Sequence, residues 1–389
     1  MAIENWVGKE LETLTAFRRD LHQNPELLYD TVRTAATVAE ALRAAGVDEV
    51  VEGIGRTGVV GVIHGHSNKS GRMIGLRADM DALPINEATG KPWASKVPGK
   101  MHACGHDGHT TMLLGAAKHL AQSRAFDGTV IVIFQPAEEG GAGARAMIED
   151  GLFTRWPCNE VYGMHNRPGM PVGEFTIAPG PIMGSVDEVR ITIEGRGGHA
   201  AKPNETIDPL PVAATIIQSV QTIASRTIDP MDNAVVSLCT MQAGNAFNVI
   251  PQTAEITGTV RALREEVRDQ VEARLKSLVE NIASGFGATG KVDYIRHYPV
   301  TVNHERETDL AAQAAQEVAG VDRVDLEMAP VLGGEDFSFM LNEVPGAMIN
   351  IGNGPSAGLH HPEYDFDDDV IGWGCSYWTT LVRQRLPAA

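Results

Sequence analysis

The sequence predicts an α/β fold, a central and mostly parallel β-sheet flanked by helices, interrupted by a smaller α+β insert. Three observations predict it. Short apolar runs alternate with stretches of helical periodicity up to residue 164, the order that builds α/β layers. The stretch 185–297 then changes to a self-contained strand-helix-strand-strand-helix-strand pattern, after which the α/β character resumes. Finally, 389 residues with 43% apolar content exceed what one core organises and suffice for two. The expected division is therefore 1–184, 185–297 and 298–389, with the larger domain discontinuous in sequence. Residues 6–45 carry two opening helices, with Leu11, Leu14, Phe17 and Leu21 and then Val38, Ala41 and Leu42 on apolar stripes, stopped at Gly46. Strands follow at 59–63 and 73–77, a helix at about 109–122, a strand at 129–134, a helix near 142–150 and a strand at 160–164. The insert reads as strand 188–194, helix 207–226, strands 234–241 and 254–260, helix 265–283 and strand 292–296. A helix near 309–318 and a strand at 347–351 close the pattern. Gly53-x-Gly55-x-x-Gly58 matches a dinucleotide fingerprint but leads into a β-rich run instead of a helix, so it is read as turn chemistry.

Composition excludes several function classes. A formal net charge of −18 repels phosphate backbones and anionic lipid headgroups, which counts against nucleic acid and membrane surfaces as partners. Met1-Ala2-Ile3-Glu4-Asn5 is acidic and lacks an apolar signal core, and no apolar run is long enough to span a bilayer. Four scattered cysteines, Cys104, Cys158, Cys239 and Cys375, fit reduced thiols. The expectation is a soluble, cytoplasmic protein; Asn204-Glu205-Thr206 is then a chance match to a glycosylation acceptor.

Three apolar strands end in polar clusters: Arg77-Ala78-Asp79-Met80-Asp81, Gln135-Pro136-Ala137-Glu138-Glu139 and His165-Asn166. Ligands of open α/β sheets bind at the carboxyl ends of strands, so the clusters should converge. Just before a predicted helix, Met101-His102-Ala103-Cys104-Gly105-His106-Asp107-Gly108-His109 packs one thiol and three imidazoles into a short loop, a soft-to-borderline donor set that suits a transition metal. A single Cys or His is more often a packed thiol or a hydrogen-bonded imidazole. Cys104, His106, Glu139, His165 and a histidine of the Leu359-His360-His361-Pro362 turn together exceed what one tetrahedral ion needs, whereas two ions about 3.5–4 Å apart would use them all. Of the adjacent Glu138 and Glu139, one would face a metal and the other would serve as a base. Gly195-Arg196-Gly197-Gly198-His199 could present an imidazole or be an ordinary glycine turn. Gly333-Gly334-Glu335-Asp336-Phe337 could support a metal site or cap a helix.

At these residues the chain resembles the M20 family of metallopeptidases and amidohydrolases, in the branch of hippurate hydrolases, N-acyl-L-amino acid amidohydrolases and plant auxin-conjugate hydrolases. The matching stretches also include Asp20-Leu21-His22-x-x-Pro25-Glu26, Gly163-Met164-His165 and the run from His360 to Phe366. The resemblance implies a catalytic domain and a ferredoxin-like lid domain, with two divalent metal ions (zinc, manganese, cobalt or nickel) on Cys104, His106, Glu139, His165 and His360. It implies Glu138 as general base and His199 as the lid histidine that, in dimeric relatives, stabilises the oxyanion in a neighbouring subunit. Asn248 and Arg261 match lid positions that bind the substrate carbonyl and carboxylate. It also implies a homodimer or higher homo-oligomer.

Where peptidase members carry a metal-binding His two residues before an Asp, this chain has Asp79 before Asp81, and Cys104 stands in place of a bridging Asp. That pattern favours small N-acyl amino acids as substrates. The alternatives are a dipeptidase or carboxypeptidase, a cysteine hydrolase using Cys104 with a neighbouring histidine, and a module in which the metal is structural.

Overall fold

A computed structural model describes residues 4–388, so Met1-Ala2-Ile3, part of the acidic N-terminus read above, lie outside it. In chain order the elements are α1 (Asn5–Gln23), α2 (Val32–Ala44), β1 (Glu49–Ile54), β2 (Gly58–His64), β3 (Met73–Asp79), α3 (His106–Ser123), β4 (Thr129–Gln135), α4 (Gly143–Glu149), α5 (Leu152–Arg155), β5 (Glu160–Arg167), β6 (Phe175–Thr176) and β7 (Gly180–Met183). There follow β8 (Val186–Glu194), β9 (Gly198–His199), α6 (Pro209–Thr222), β10 (Ala234–Ala243), β11 (Val249–Ile250), β12 (Thr253–Ala262), α7 (Glu265–Gly285) and β13 (Thr289–Tyr298). Last come β14 (Thr301–Asn303), α8 (Glu305–Ala319), β15 (Val324–Asp325), α9 (Phe337–Glu343), β16 (Gly346–Gly352) and α10 (Val370–Arg385). They form two compact units, one of residues 4–180, 302–329 and 336–388, the other of Pro181–Thr301 and Pro330–Glu335.

In the larger unit an eight-stranded sheet runs β1-β2-β4-β3-β5-β16-β6-β15. Its centre is parallel, since β4, β3, β5 and β16 pair in one direction, while β1, β2 and β6 join antiparallel. The central strands are buried along nearly their whole length, as expected of near-continuous apolar runs covered on both faces. Two groups of helices provide the cover: α3 with α1, α2 and α10, and α4 with α9. Gly53, at the bulge of β1, and Gly55, in the turn of the antiparallel β1–β2 hairpin, sit at positive φ, which removes the dinucleotide reading on structural grounds too.

Three differences from the sequence reading position the site. The helix α3 begins at His106, three residues before the first turn of the predicted one, because Gly105 (φ 91°) supplies the left-handed residue ahead of it and Asp107 the acid of its first turn. The strand β5 runs on through His165 and Asn166, so these side chains project from the strand and not from a loop after it. The helix α10 gives no periodic signal in the sequence because nearly every side chain in it is buried, including Trp378, Tyr377 and Cys375, which erases the one-sided apolar stripe that marks a surface helix.

In the smaller unit the chain order β8-α6-β10-β12-α7-β13 and the antiparallel sheet order β10-β12-β8-β13 give a ferredoxin-like α+β fold. Its core is Val189, Ile191 and Ile193 of β8 packed with Val212, Ile216, Val271 and Leu275 from the helices. Asp208 caps α6 through Leu210 N at 3.0 Å. The unit reclaims Pro330–Glu335, a return segment with no periodicity of its own, because Gly184 N bonds Val331 O and Gly333 O at 3.0 and 2.9 Å. A separate ribbon pairs β9 with β11, placing His199 opposite Val249.

The N-terminus of α2 is capped from a distance. Thr31, at the N-cap, makes no capping bond; Glu26 instead accepts from Arg33 N and Thr34 N at 3.0 and 2.7 Å. Glu26→Ala should therefore lower the unfolding free energy by about 1 kcal/mol in urea titrations, with Glu26→Gln closer to wild type.

Candidate metal centre

The sheet brings five of the predicted residues together. Cys104 comes from the loop before α3, His106 from its first turn, Glu139 from the turn after β4, His165 from β5, and His360 from the turn that Ala103 O anchors through His360 N at 2.8 Å. The ligand-capable atoms of Cys104, His106 and His165 lie within 4.8 Å of one another, as do those of Cys104, Glu139 and His360. Cys104 belongs to both groups. Its Sγ is 3.4 Å from His165 Nε2, and Glu139 Oε1 is 3.3 Å from His360 Nε2 and 3.9 Å from His106 Nε2.

The imidazoles are aimed for coordination. Carbonyls only accept, so His106 must donate Nδ1–H to Asp81 O (2.8 Å) and His165 Nδ1–H to Asn166 O (2.7 Å), leaving both Nε2 lone pairs turned into the cluster. His106 Nε2 is buried without a hydrogen-bond partner, the condition a bound cation would relieve. Burial, then His109 nearby, pulls the His165 pKa down to about 3, so it stays neutral as a ligand must. Burial pushes the Cys104 thiol up, which means that a thiolate there needs a cation beside it. Hydrogen bonds to Cys104 and Glu139 push His360 up to about 10. The donor set of one thiol, three imidazoles and a carboxylate thus fits borderline divalent metals. His361 is exposed and uses Nδ1 to accept from Glu363 N at 3.1 Å, which leaves His360 as the histidine of this turn within the cluster.

Glu138 and Glu139, although adjacent, both turn towards His106. The carboxylate of Glu138, like that of Glu139, lies within 4.8 Å of the His106 ligand atom. Ala137 (φ 55°) and Gly140 (φ 89°) bend the chain into a tight turn, so adjacent side chains stay on one side. The carboxylate of Asp81 holds this turn, accepting Glu138 N at 2.9 Å and Glu139 N at 3.1 Å. No local pattern announces that clamp, since its partners are far away in sequence.

His109, in the same loop motif, is engaged elsewhere. Its Nδ1 donates to Asp79 Oδ1 at 2.6 Å and its Nε2 accepts from Asn166 N at 2.9 Å. Burial would raise the Asp79 pKa, but His106, Arg77 and His109 hold it well below the usual carboxylate range. Asp336 accepts from Arg77 Nη2 (3.1 Å), Gln135 Nε2 (2.7 Å) and Ala144 N (3.0 Å).

The remaining predicted residues lie in the smaller unit. His199 is exposed in β9; its Nδ1 accepts from Ala201 N at 3.1 Å, so the neutral ring carries its proton on Nε2 as a donor. Asn248 is beside it, taking Ala200 N on its carbonyl at 3.1 Å. Arg261, on β12 and half-buried, donates to Thr259 Oγ1 at 2.8 Å and forms no ion pair among the described residues.

Residues 75–384 match the sequence family described as Peptidase family M20/M25/M40. The chain belongs to that family. It is 42% identical over 370 residues to hippurate hydrolase of Campylobacter jejuni, which covers 95% of both chains. It is 40% identical to N-acetylcysteine deacetylase of Bacillus subtilis, over 95% of this chain and 96% of the relative. The crystal structure of a dinuclear metal-binding peptidase of the M20 family from Bacillus subtilis superposes with a TM-score of 0.85 at 36% identity, covering 96% of this chain and 98% of that one. The protein is thus an M20 hydrolase, and among the described residues no helix is long and apolar enough to cross a membrane.

Behind the loop of this M20 hydrolase, Asp107 meets His22 Nδ1 at 2.8 Å and Arg18 Nη1 at 3.4 Å. Burial opposes charge on His22, but Asp107 and Glu87 override it and push the pKa up to about 9 from an ordinary 6.5. A pKa raised on folding contributes stability in full below about pH 6.5, and that contribution is lost as pH rises through about 9. The stability gap between wild type and His22→Gln should accordingly narrow by on the order of 2–3 kcal/mol between those limits, measured by denaturant unfolding at each end.

Proposed function

We propose that this chain hydrolyses the amide bond of N-acylated amino acids to a carboxylic acid and a free amino acid, at a centre of two divalent metal ions. The observation that carries the proposal is the position of Cys104 in two ligand groups at once, with Glu138 beside them on the Asp81-held turn. Hippurate and N-acetylcysteine, named for the relatives, are both N-acyl amino acids, which supports the substrate class. We assign Cys104, His106, Glu139, His165 and His360 as ligands; zinc, manganese, cobalt and nickel all suit the set.

When bound, such ions polarise the scissile carbonyl and lower the pKa of water toward about 7. Glu138 takes a proton from the attacking water and passes it to the amide nitrogen as the C–N bond breaks. His199, with its proton on Nε2, donates to the oxyanion. Asn248 binds the substrate carbonyl, and the guanidinium of Arg261 pairs with the carboxylate of the amino acid. Self-association and a cytoplasmic location belong to the same proposal; exposure of Met241 along β10 supports the first.

A thiol hydrolase would need Cys104 as thiolate beside a histidine; His360, pushed up to about 10, is such a neighbour and leaves that reading to the chelator test, whereas the Cys104–His165 pair does not suit it. Burial drives both members of that pair away from charge, with His165 at about 3 and the thiol raised.

Release of free amino acid from N-benzoyl, N-acetyl and indoleacetyl amino acids should vanish with chelator and return with metal; activity indifferent to chelation would move Cys104 from ligand to nucleophile. Glu138→Gln is expected to keep its metal and lose about 10²–10⁴ in kcat, and full activity in that variant would sink the mechanism. His199→Ala should cost on the order of 10²–10³ in kcat in the same assay.

A further inference from the structure

The motif Asp20-Leu21-His22-x-x-Pro25-Glu26 has no part in the chemistry above, yet it lies directly behind the loop that carries Cys104 and His106. His22, in the last turn of α1, is 1% exposed. It spans two carboxylates, with Nδ1 2.8 Å from Asp107 Oδ2 and Nε2 3.3 Å from Glu87 Oε2. Asp107 directly follows His106 in α3. Arg18, one turn earlier on α1, reaches the same Asp107 oxygen at 3.4 Å and gives its Nε to Asp368 at 2.8 Å. The motif touches the other side of the site through its backbone as well, since Glu26 O accepts Ala82 N at 2.8 Å, beside Asp81.

Stability alone does not account for this arrangement. Buried ion pairs stabilise weakly, and apolar side chains of similar volume often do better. Here Arg18 Nη2, Asp107 Oδ1 and both ring nitrogens of His102 remain buried without hydrogen-bond partners, an arrangement that a packing role would avoid. What the directional bonds do achieve is to fix the orientation of Asp107, and with it the first turn of α3.

We propose that His22 is a positioning residue of the metal centre: by holding the Asp107 carboxylate it fixes the aim of His106 Nε2 and Cys104 Sγ. The inference rests on the two-metal reading of the preceding section. Residues that orient ligands in this way typically contribute 10–100-fold to metal affinity.

Cobalt(II) affinity by chelator competition and the thiolate-to-cobalt absorption band, read alongside the thermal midpoint, test the idea on the metal-stripped full chain. His22→Gln should fold and lose about 10–100-fold in cobalt affinity, with a weakened thiolate band. His22→Asn, whose amide nitrogen falls near the Nδ1 position, should recover most of both. In a double-mutant cycle, His22→Gln should add little to the loss caused by Asp107→Asn, because both remove one contact. A folded His22→Gln with wild-type affinity and spectrum overturns the proposal, as do additive losses. If His22→Gln does not fold, His22→Asn and Asp107→Asn decide the matter: retained affinity in the first with loss in the second supports it, and equal affinities overturn it. A wild type without a thiolate band refutes the metal reading itself and the inference with it.

Discussion

The carboxylate of Asp81 accepts the backbone N–H groups of Glu138 and Glu139, while its own carbonyl accepts Nδ1–H of His106 at 2.8 Å. The end of β3, the turn after β4 and the first turn of α3 therefore meet on one residue. The carboxylate is fully buried, which raises its pKa, so its charge is tolerated only because His106 and the two amides surround it. Each bond does a separate job. Asp79 favours the charged His106 ring; in the neutral ring that coordination requires, the carbonyl selects the tautomer that leaves Nε2 unprotonated, and the carboxylate keeps the glutamates on the same side of a backbone that would otherwise alternate them.

Around this clamp the interior charges are arranged in pairs except where a cation would act. Asp79 is balanced by Arg77 and takes a hydrogen bond from His109, and Asp107 is balanced by His22 and Arg18. Burial works against charge on Cys104 and Glu139, yet contacts with His360 and His106 hold Glu139 below its ordinary pKa. Protons and metal ions compete for such a cluster, because thiolate, carboxylate and neutral imidazole are the forms that coordinate. The difference between His109 and His165 shows how finely the surroundings decide this. Both rings lie in the same region, 4.5 Å apart, but His109 spends both nitrogens on Asp79 and Asn166, while His165 spends Nδ1 on a carbonyl and turns Nε2 to Cys104 Sγ.

Much of this was legible in the sequence. The central strands could be read from unbroken apolar runs, the insert from its change of pattern, and the metal-site residues from soft and borderline donors crowded at strand ends. What stayed hidden has identifiable causes. The helix α10 carries no stripe because it is buried on all sides, and the return segment Pro330–Glu335 is held by backbone bonds to Gly184 that leave no periodic trace. The roles of Asp81, Asp107 and Asn166 depend on partners tens of residues away, and a single sequence carries no signal for such pairs. Polar residues at 165 and 166 give no strand signal, yet β5 continues through them because the parallel partner β16 runs on opposite, pairing Asn350 with His165.

Two of the six non-glycine residues at positive φ among the described residues lie at the site. Ala137 and His360 hold positive φ values of 55° and 63° without being glycine; Ala137 precedes the Glu138-Glu139 pair and His360 is itself a candidate ligand. Such conformations cost of order 1–3 kcal/mol each and persist where the surroundings over-determine them. His360 is fixed by its N–H to Ala103 O, and the turn at Ala137 by the Asp81 clamp one residue on. Gly105 shows the same logic where no side chain would be tolerated. A Cβ there would fall 2.3 Å from Asn166 Nδ2 and 2.5 Å from Tyr364 Oη. Those two groups are the props of the loop, since Asn166 Nδ2 donates to Cys104 O at 2.6 Å and Tyr364 Oη donates to Asn166 Oδ1 at 2.7 Å. The missing side chain at 105 is thus the space through which β5 supports the Cys104 backbone. The donors are in this way set by protein contacts alone, so a cation entering the cluster would have little backbone left to reorganise.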